Sequence, residues 1–95
     1  MPAYIIAEIE VKDWTTYEAY RARTPGVIAA FGGRFLVRGG TTEAKEGAGP
    51  AGRVVVLEIA DMATARRFYD SAEYQEILPL RTGAAESRLF MVEGV

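Results

Sequence analysis

One junction occurs twice in this chain, and it limits the fold more than any other feature. Ile9-Glu10-Val11-Lys12-Asp13-Trp14-Thr15-Thr16 returns 48 positions later as Leu57-Glu58-Ile59-Ala60-Asp61-Met62-Ala63-Thr64. Both copies read apolar-Glu-apolar-x-Asp-large-x-Thr. That pattern is the end of a strand running into a helix, with the aspartate as N-cap. At the same offset Tyr20 falls opposite Phe68. Chance agreement is the competing reading, because such junctions use few residue types. The strand count and loop lengths around them agree with a layout of two such halves.

The remaining elements follow from periodicity. Ala3, Ile5, Ala7, Ile9 and Val11 alternate with Tyr4, Ile6, Glu8 and Glu10, which predicts a first strand with two distinct faces. Tyr17, Tyr20, Thr24, Val27, Ile28 and Phe31 fall at three- and four-residue spacings, one apolar stripe of a helix starting at Trp14. Pro25 cannot donate to the Arg21 carbonyl, so a kink is expected there, with Thr24 re-capping the second segment. Gly32-Gly33 ends this helix. Arg34 to Arg38 is a second strand, Phe35 and Val37 facing one way and Arg34, Leu36 and Arg38 the other. Gly39-Gly40 is a tight turn or, preferably, a bulge in a longer bent strand, since Lys45 to Gly52 is already a loop suited to a hairpin connection. Arg53 to Ile59 is apolar on both faces until Glu58, which places it centrally. Asp61 caps a second helix with Met62, Ala65, Phe68, Tyr69 and Ala72 inward. Ser71 caps a further stretch carrying Tyr74, Ile77 and Leu78, which Pro79 restarts at most. Arg88 to Glu93 is the last strand. Two βαβ halves in tandem give βαββαβ. The expected class is α+β, a ferredoxin-like plait with a four-stranded antiparallel sheet, and residues 1–95 form one domain.

Helices cover only one face of such a sheet. By parity the other face carries Tyr4, Ile6, Val54, Val56, Phe90 and Val92, too much apolar surface to leave in water. The expected partner is a second copy of the chain, the two sheets facing each other as a homodimer. Glu8, Glu10 and Glu58 share this parity, with Arg34, Arg38 and Arg88 available to pair with them. They are either a rim of ion pairs that fixes dimer register or a general acid/base carboxylate with an arginine clamp. The first reading is favoured, because structural ion pairs are common.

Composition narrows the chemistry. The chain has no cysteine and no histidine. Disulfides, thiolate or imidazole catalysis and the ordinary zinc, iron–sulfur and histidine-haem sites are therefore excluded from the chain alone. Acidic residues show no spacing for magnesium or calcium, so neither metal nor cofactor is expected. A net charge of −2 with dispersed arginines argues against nucleic acid. No apolar run approaches bilayer length, and Met1 to Ile6 does not read as a signal peptide, so no membrane contact and a cytoplasmic location are expected.

Tyr17, Tyr20, Phe35, Phe68, Tyr69 and Tyr74 either line a small-molecule cleft between helices and sheet or simply fill the core. Ser71, Tyr74 and Arg81 are the polar groups beside them; Ser71 is an N-cap or a ligand contact, and the fork of Arg81 suits a carboxylate. Gly32-Gly33 and Gly39-Gly40 lack phosphate-loop spacing. The glycines of Lys45 to Gly52 permit either a mobile lid or a loose hairpin end.

Tyr4-Ile5-Ile6-Ala7-Glu8-Ile9, Phe31-Gly32-Gly33-Arg34-Phe35-Leu36-Val37-Arg38-Gly39-Gly40 and Ser71-Ala72-Glu73-Tyr74-Gln75 together resemble the domain-of-unknown-function 1330 family. The resemblance spans essentially the whole chain, and its middle block is the most specific. It implies a dimeric α+β barrel, related to antibiotic-biosynthesis monooxygenases and to chlorite-dismutase-like and muconolactone-isomerase-like proteins. Relatives that depend on a histidine are not models for this chain. Two functions stay open. One is a homodimer that binds a small, mostly apolar metabolite through Tyr20, Phe35, Arg38, Tyr69, Ser71, Tyr74 and Arg81, with cofactor-independent proton-transfer, isomerase or monooxygenase-like chemistry. The other is a non-catalytic dimeric binding or accessory module.

Overall fold

The structure is a computed structural model and describes residues 1–95. Seven elements follow in order: β1 (Ala3–Val11), α1 (Trp14–Ala30), β2 (Arg34–Arg38), β3 (Arg53–Ile59), α2 (Met62–Asp70), α3 (Ala72–Thr82) and β4 (Ala85–Glu93). The strands form one antiparallel sheet in the order β2-β3-β1-β4, the order of a ferredoxin-like plait. Residues paired directly across antiparallel strands share a face. Ile5 lies between Leu57 and Met91, and Ala7 between Val55 and Leu89, so these positions turn toward the helices. The core sits there, with Ile5, Ile9, Ile28, Ile59, Phe68 and Ile77 almost fully buried.

Both repeated junctions form capped helices. Asp13 accepts from the Thr16 amide at 3.2 Å and from its hydroxyl at 2.7 Å; Asp61 accepts from the Thr64 amide at 2.7 Å. The hydrogen bonds hold both carboxyls below the ordinary carboxylate range, the Thr16 and Thr64 side chains contributing most. At the other end of α1, Gly33 donates to Ile28 and Gly32 to Ala29, both at 3.0 Å. This is a Schellman ending, and Gly32 takes the positive φ of 72° that it requires.

Four expectations are corrected. First, α1 runs unbroken through Pro25. Thr24 does not re-cap it, because its hydroxyl turns back to the Tyr20 carbonyl at 2.6 Å. The Arg21 carbonyl, which Pro25 cannot serve, accepts instead from the Arg38 guanidinium at 2.8 Å. Second, the bulge lies within β2 rather than at Gly39-Gly40. Phe35 pairs with Leu57, but Val37 pairs with Val56, so Leu36 is the extra residue. One added residue inverts parity beyond it. Val37 therefore joins the outer face and Arg38, opposite Val55, joins the helix side. Third, Ala72 is exposed, because extended backbone at Ser71 separates α2 from α3 and resets the helical phase. Fourth, α3 continues past Pro79 to Thr82, and β4 starts at Ala85 rather than Arg88.

The helices lie on one face. The other carries Tyr4, Ile6, Val37, Val54, Val56, Phe90 and Val92. In the single chain Phe90 is 49% exposed and Val92 44%. No helix is long and apolar enough to cross a membrane.

Candidate ligand site between the helices and the sheet

A small cavity of about 30 Å³ separates the helices from the sheet. Its wall includes Tyr20, Thr24 and Ile28 of α1, Phe35 of β2, Phe68 of α2 and Tyr74 of α3. The space holds on the order of one or two waters. Tyr20 sits on the buried stripe of α1. Tyr74 is brought in by the Ser71 cap, whose oxygen accepts from the Tyr74 amide at 3.1 Å while its hydroxyl donates to the Phe68 carbonyl at 2.7 Å. The two phenol oxygens meet at 2.7 Å.

Behind this pair stands Arg81, in the last turn of α3 and only 4% exposed. It donates to the Tyr74 oxygen at 3.5 Å and to the Ser87 hydroxyl, and its guanidinium lies 5.8 Å from the Tyr20 ring centre. No carboxylate pairs with it, and its Nε finds no acceptor. Burial, and then the neighbouring Tyr74 oxygen, push the Tyr20 pKa far above the usual phenol value. Burial works against the Arg81 charge, but the Tyr74 and Tyr20 oxygens hold its pKa above the ordinary value.

Two arginines, Arg38 of β2 and Arg53 of β3, lie beside residues of this region. Arg38 lies 4.4 Å above the Phe35 ring and is tied to the Arg21 carbonyl. Arg53 donates to the Tyr17 hydroxyl at 2.6 Å. The β2 bulge is what brings Arg38 to this side.

Of the residues singled out from sequence, Tyr20, Phe35 and Tyr74 line the cavity. Arg38 stands at its margin and Arg81 behind it. Tyr69 packs on Tyr74 at 5.4 Å without reaching the cavity wall. Ser71 caps α3 through one donated and one accepted hydrogen bond and does not line the cavity. Arg53, Thr24 and Ser87 were missed as polar neighbours. Arg53 shares its parity with Val55 and Leu57, a legible signal. Ser87 lay outside the expected last strand. Residues 45–52 do not line this cavity, so they are not placed to act as its lid.

On the outer face a shallow, polar groove of about 300 Å³ is lined by Glu8, Glu10, Glu86 and Arg88, with Gly49 and Ala51 of the long loop. Glu8 is ion-paired with Arg88, and Glu58 with Arg34 at 2.9 Å. Arg38 takes no part in this rim, because the bulge has turned it to the other face.

Solved structures share this architecture. A protein of unknown function from Rhodopseudomonas palustris superposes with a TM-score of 0.77 at 19% identity, over 99% of this chain and 82% of that one. A dimeric ferredoxin-like protein of unknown function from a Jannaschia species gives 0.75 at 11% identity, over 99% and 100%. SnoaB, a cofactor-independent oxygenase from Streptomyces nogalater, gives 0.64 at 13% identity, over 99% and 93%. At these identities the likeness establishes the fold. No functionally curated protein matches the sequence. A family model, the domain of unknown function DUF1330, matches residues 2–95, and with that match across its length the chain belongs to the DUF1330 family.

Proposed function

We propose that the protein works as a cytoplasmic homodimer, joined through the outer sheet face, that holds a small and mostly apolar molecule between helices and sheet in each subunit. The observation that carries the ligand reading is the cavity itself: an apolar wall interrupted by two hydrogen-bonded phenols, with a buried arginine behind them. Clefts for small molecules are built in this way, from apolar lining with a few converging polar groups. A cavity of about 30 Å³ admits a ligand only if its wall yields, and the edge strand β2, which carries Phe35 of that wall, is tied to α1 by Arg38. The dimer reading is supported by the apolar outer face and its rim of Arg88–Glu8 and Arg34–Glu58 pairs, which fits a register-setting border. The likeness to a dimeric ferredoxin-like protein agrees with it. Any chemistry would be cofactor-independent proton transfer, isomerisation or oxygenation, with tyrosine, arginine and carboxylate as agents. The likeness to SnoaB fits that class.

The test is light scattering at micromolar concentration together with melting curves over a panel of apolar aromatic probes. A dimer whose melting temperature rises with probe concentration is expected. A stable monomer, or a dimer that no probe stabilises, overturns the corresponding half of the reading. The second reading, a non-catalytic binding or accessory module, has its own support in the small volume of about 30 Å³. It is favoured if the dimer forms and every probe leaves the melting curve unchanged.

A further inference from the structure

Hydrogen-bond donors outnumber acceptors around Tyr20, Tyr74 and Arg81. Each phenol carries one hydrogen, and guanidinium carries five and accepts none. Arg81 donates to Tyr74 and to Ser87, and the two phenols share one hydrogen bond. If Tyr74 gives its hydrogen to Tyr20, the Tyr20 hydrogen is left over; if Tyr20 gives its own, the Tyr74 hydrogen is left over. In both arrangements one phenol O–H, on a residue of the cavity wall, has no acceptor in the chain. The Arg81 N–H at Nε is unmet as well. The guanidinium is 4% exposed and lacks a carboxylate, although the carbonyl end of α3 offers it a partial negative charge. Unmet buried donors and an unbalanced buried cation are both costly; an anionic oxygen at the phenol pair takes the spare phenol hydrogen and, through Tyr74, offsets the Arg81 charge.

We infer that the Tyr20–Tyr74 pair is the polar pole of the cavity and takes a ligand oxygen that carries negative charge, an enolate or phenolate oxygen on an otherwise apolar molecule. This rests on the ligand-site reading above and gives it a substrate class. The phenols touch the ligand; Arg81 acts through Tyr74 as a positioning residue. Tyr20 keeps its own proton, because burial holds its pKa up, and so serves as a donor rather than a base.

Para-nitrophenol, whose colour reports its ionisation, and toluene, which has no oxygen, are titrated into the wild type and into Tyr74→Phe, Arg81→Met and Arg81→Lys. In the wild type, bound para-nitrophenol should ionise about one pH unit lower than in water, roughly a tenfold preference for the phenolate. Tyr74→Phe, which cuts the link to Arg81 and leaves Tyr20 as the one phenol donor, and Arg81→Met should each reduce that shift several-fold, Arg81→Lys should recover part of what Arg81→Met loses, and toluene should bind all four proteins alike. Tyr74→Phe keeps the ring in place should Arg81→Met fail to fold. Equal ionisation of the bound probe in wild type and Tyr74→Phe overturns the inference, even if the variants melt lower, and leaves the ligand site standing when toluene binds. If neither probe binds the wild type, the ligand-site reading falls and this inference with it.

Discussion

Pro25 and Arg38 are coupled through a single atom. Pro25 leaves the Arg21 carbonyl without its helical donor, and Arg38 supplies one from the neighbouring strand at 2.8 Å. Arg38→Ala should therefore destabilise the fold by about 1 kcal/mol, lowering the melting temperature by about 4–8 °C. In a Pro25→Ala background the new amide serves the carbonyl, and the same change should cost less, only the Arg38 stacking on Phe35 being lost. Urea unfolding of the four proteins measures the coupling; additivity within a few tenths of a kcal/mol would refute it. The cap aspartates carry a pH signature. Their folded pKa values lie below the usual 3.8, so their stabilisation is complete above the unfolded value and is lost as pH falls through the folded one. Below about pH 4 the wild type should lose stability more steeply than the double variant Asp13→Asn, Asp61→Asn, which still caps but does not titrate. Acid titrations followed by circular dichroism check this. These aspartates were legible in the sequence because capping is local. Arg81 was legible as an arginine beside aromatics, but its burial was not, since no short-range pattern marks a cation that has no counter-ion.

Strands and helices were legible wherever one periodicity held. β1 and β3 have the expected limits, and α1 starts where its aspartate places it. The failures fall where tertiary contacts override a local rule or where a backbone irregularity leaves no local mark. Proline normally stops a helix, yet α3 continues because Ile77 and Arg81, on either side of Pro79, are both anchored in the interior. Parity failed in β2 because a bulge leaves no mark in a five-residue strand; the displaced residue, Leu36, is an ordinary strand former. That bulge decides whether Arg38 belongs to the outer rim or to the cavity edge, so part of the candidate site was hidden with it. The junction entering β3 is tighter than its glycine-rich sequence suggests. A Cβ on Gly52 would lie 2.2 Å from the Ile9 carbonyl oxygen, whereas one on Gly40 would meet nothing. Gly52→Ala should cost about 2 kcal/mol, and Gly40→Ala close to none, in thermal melts of the two variants.

At the scale of the whole molecule, a thin sheet has a covered side and a bare one, and the proposed assembly follows from that asymmetry. Phe90 is 49% exposed in the single chain, so Phe90→Glu should leave the subunit folded while placing a charge in the proposed interface. The dimer dissociation constant should rise at least about 100-fold, roughly 3 kcal/mol. Light scattering over a dilution series reads this, and an unchanged dimer would locate the interface elsewhere. The general layout was legible because the duplicated junction and the two-faced strands agree. The size of the cavity was not, because volume depends on how side chains interlock rather than on their order. The sole tryptophan, Trp14, is half in water at the start of α1, its ring 5.6 Å from Tyr17, which in turn lies 5.7 Å from Tyr20. Its fluorescence therefore comes from one known place on the helix layer, two rings from the cavity wall. The proposed filling of each subunit can thus be sought in native emission without a label, while the proposed pairing of two copies calls for a separate signal.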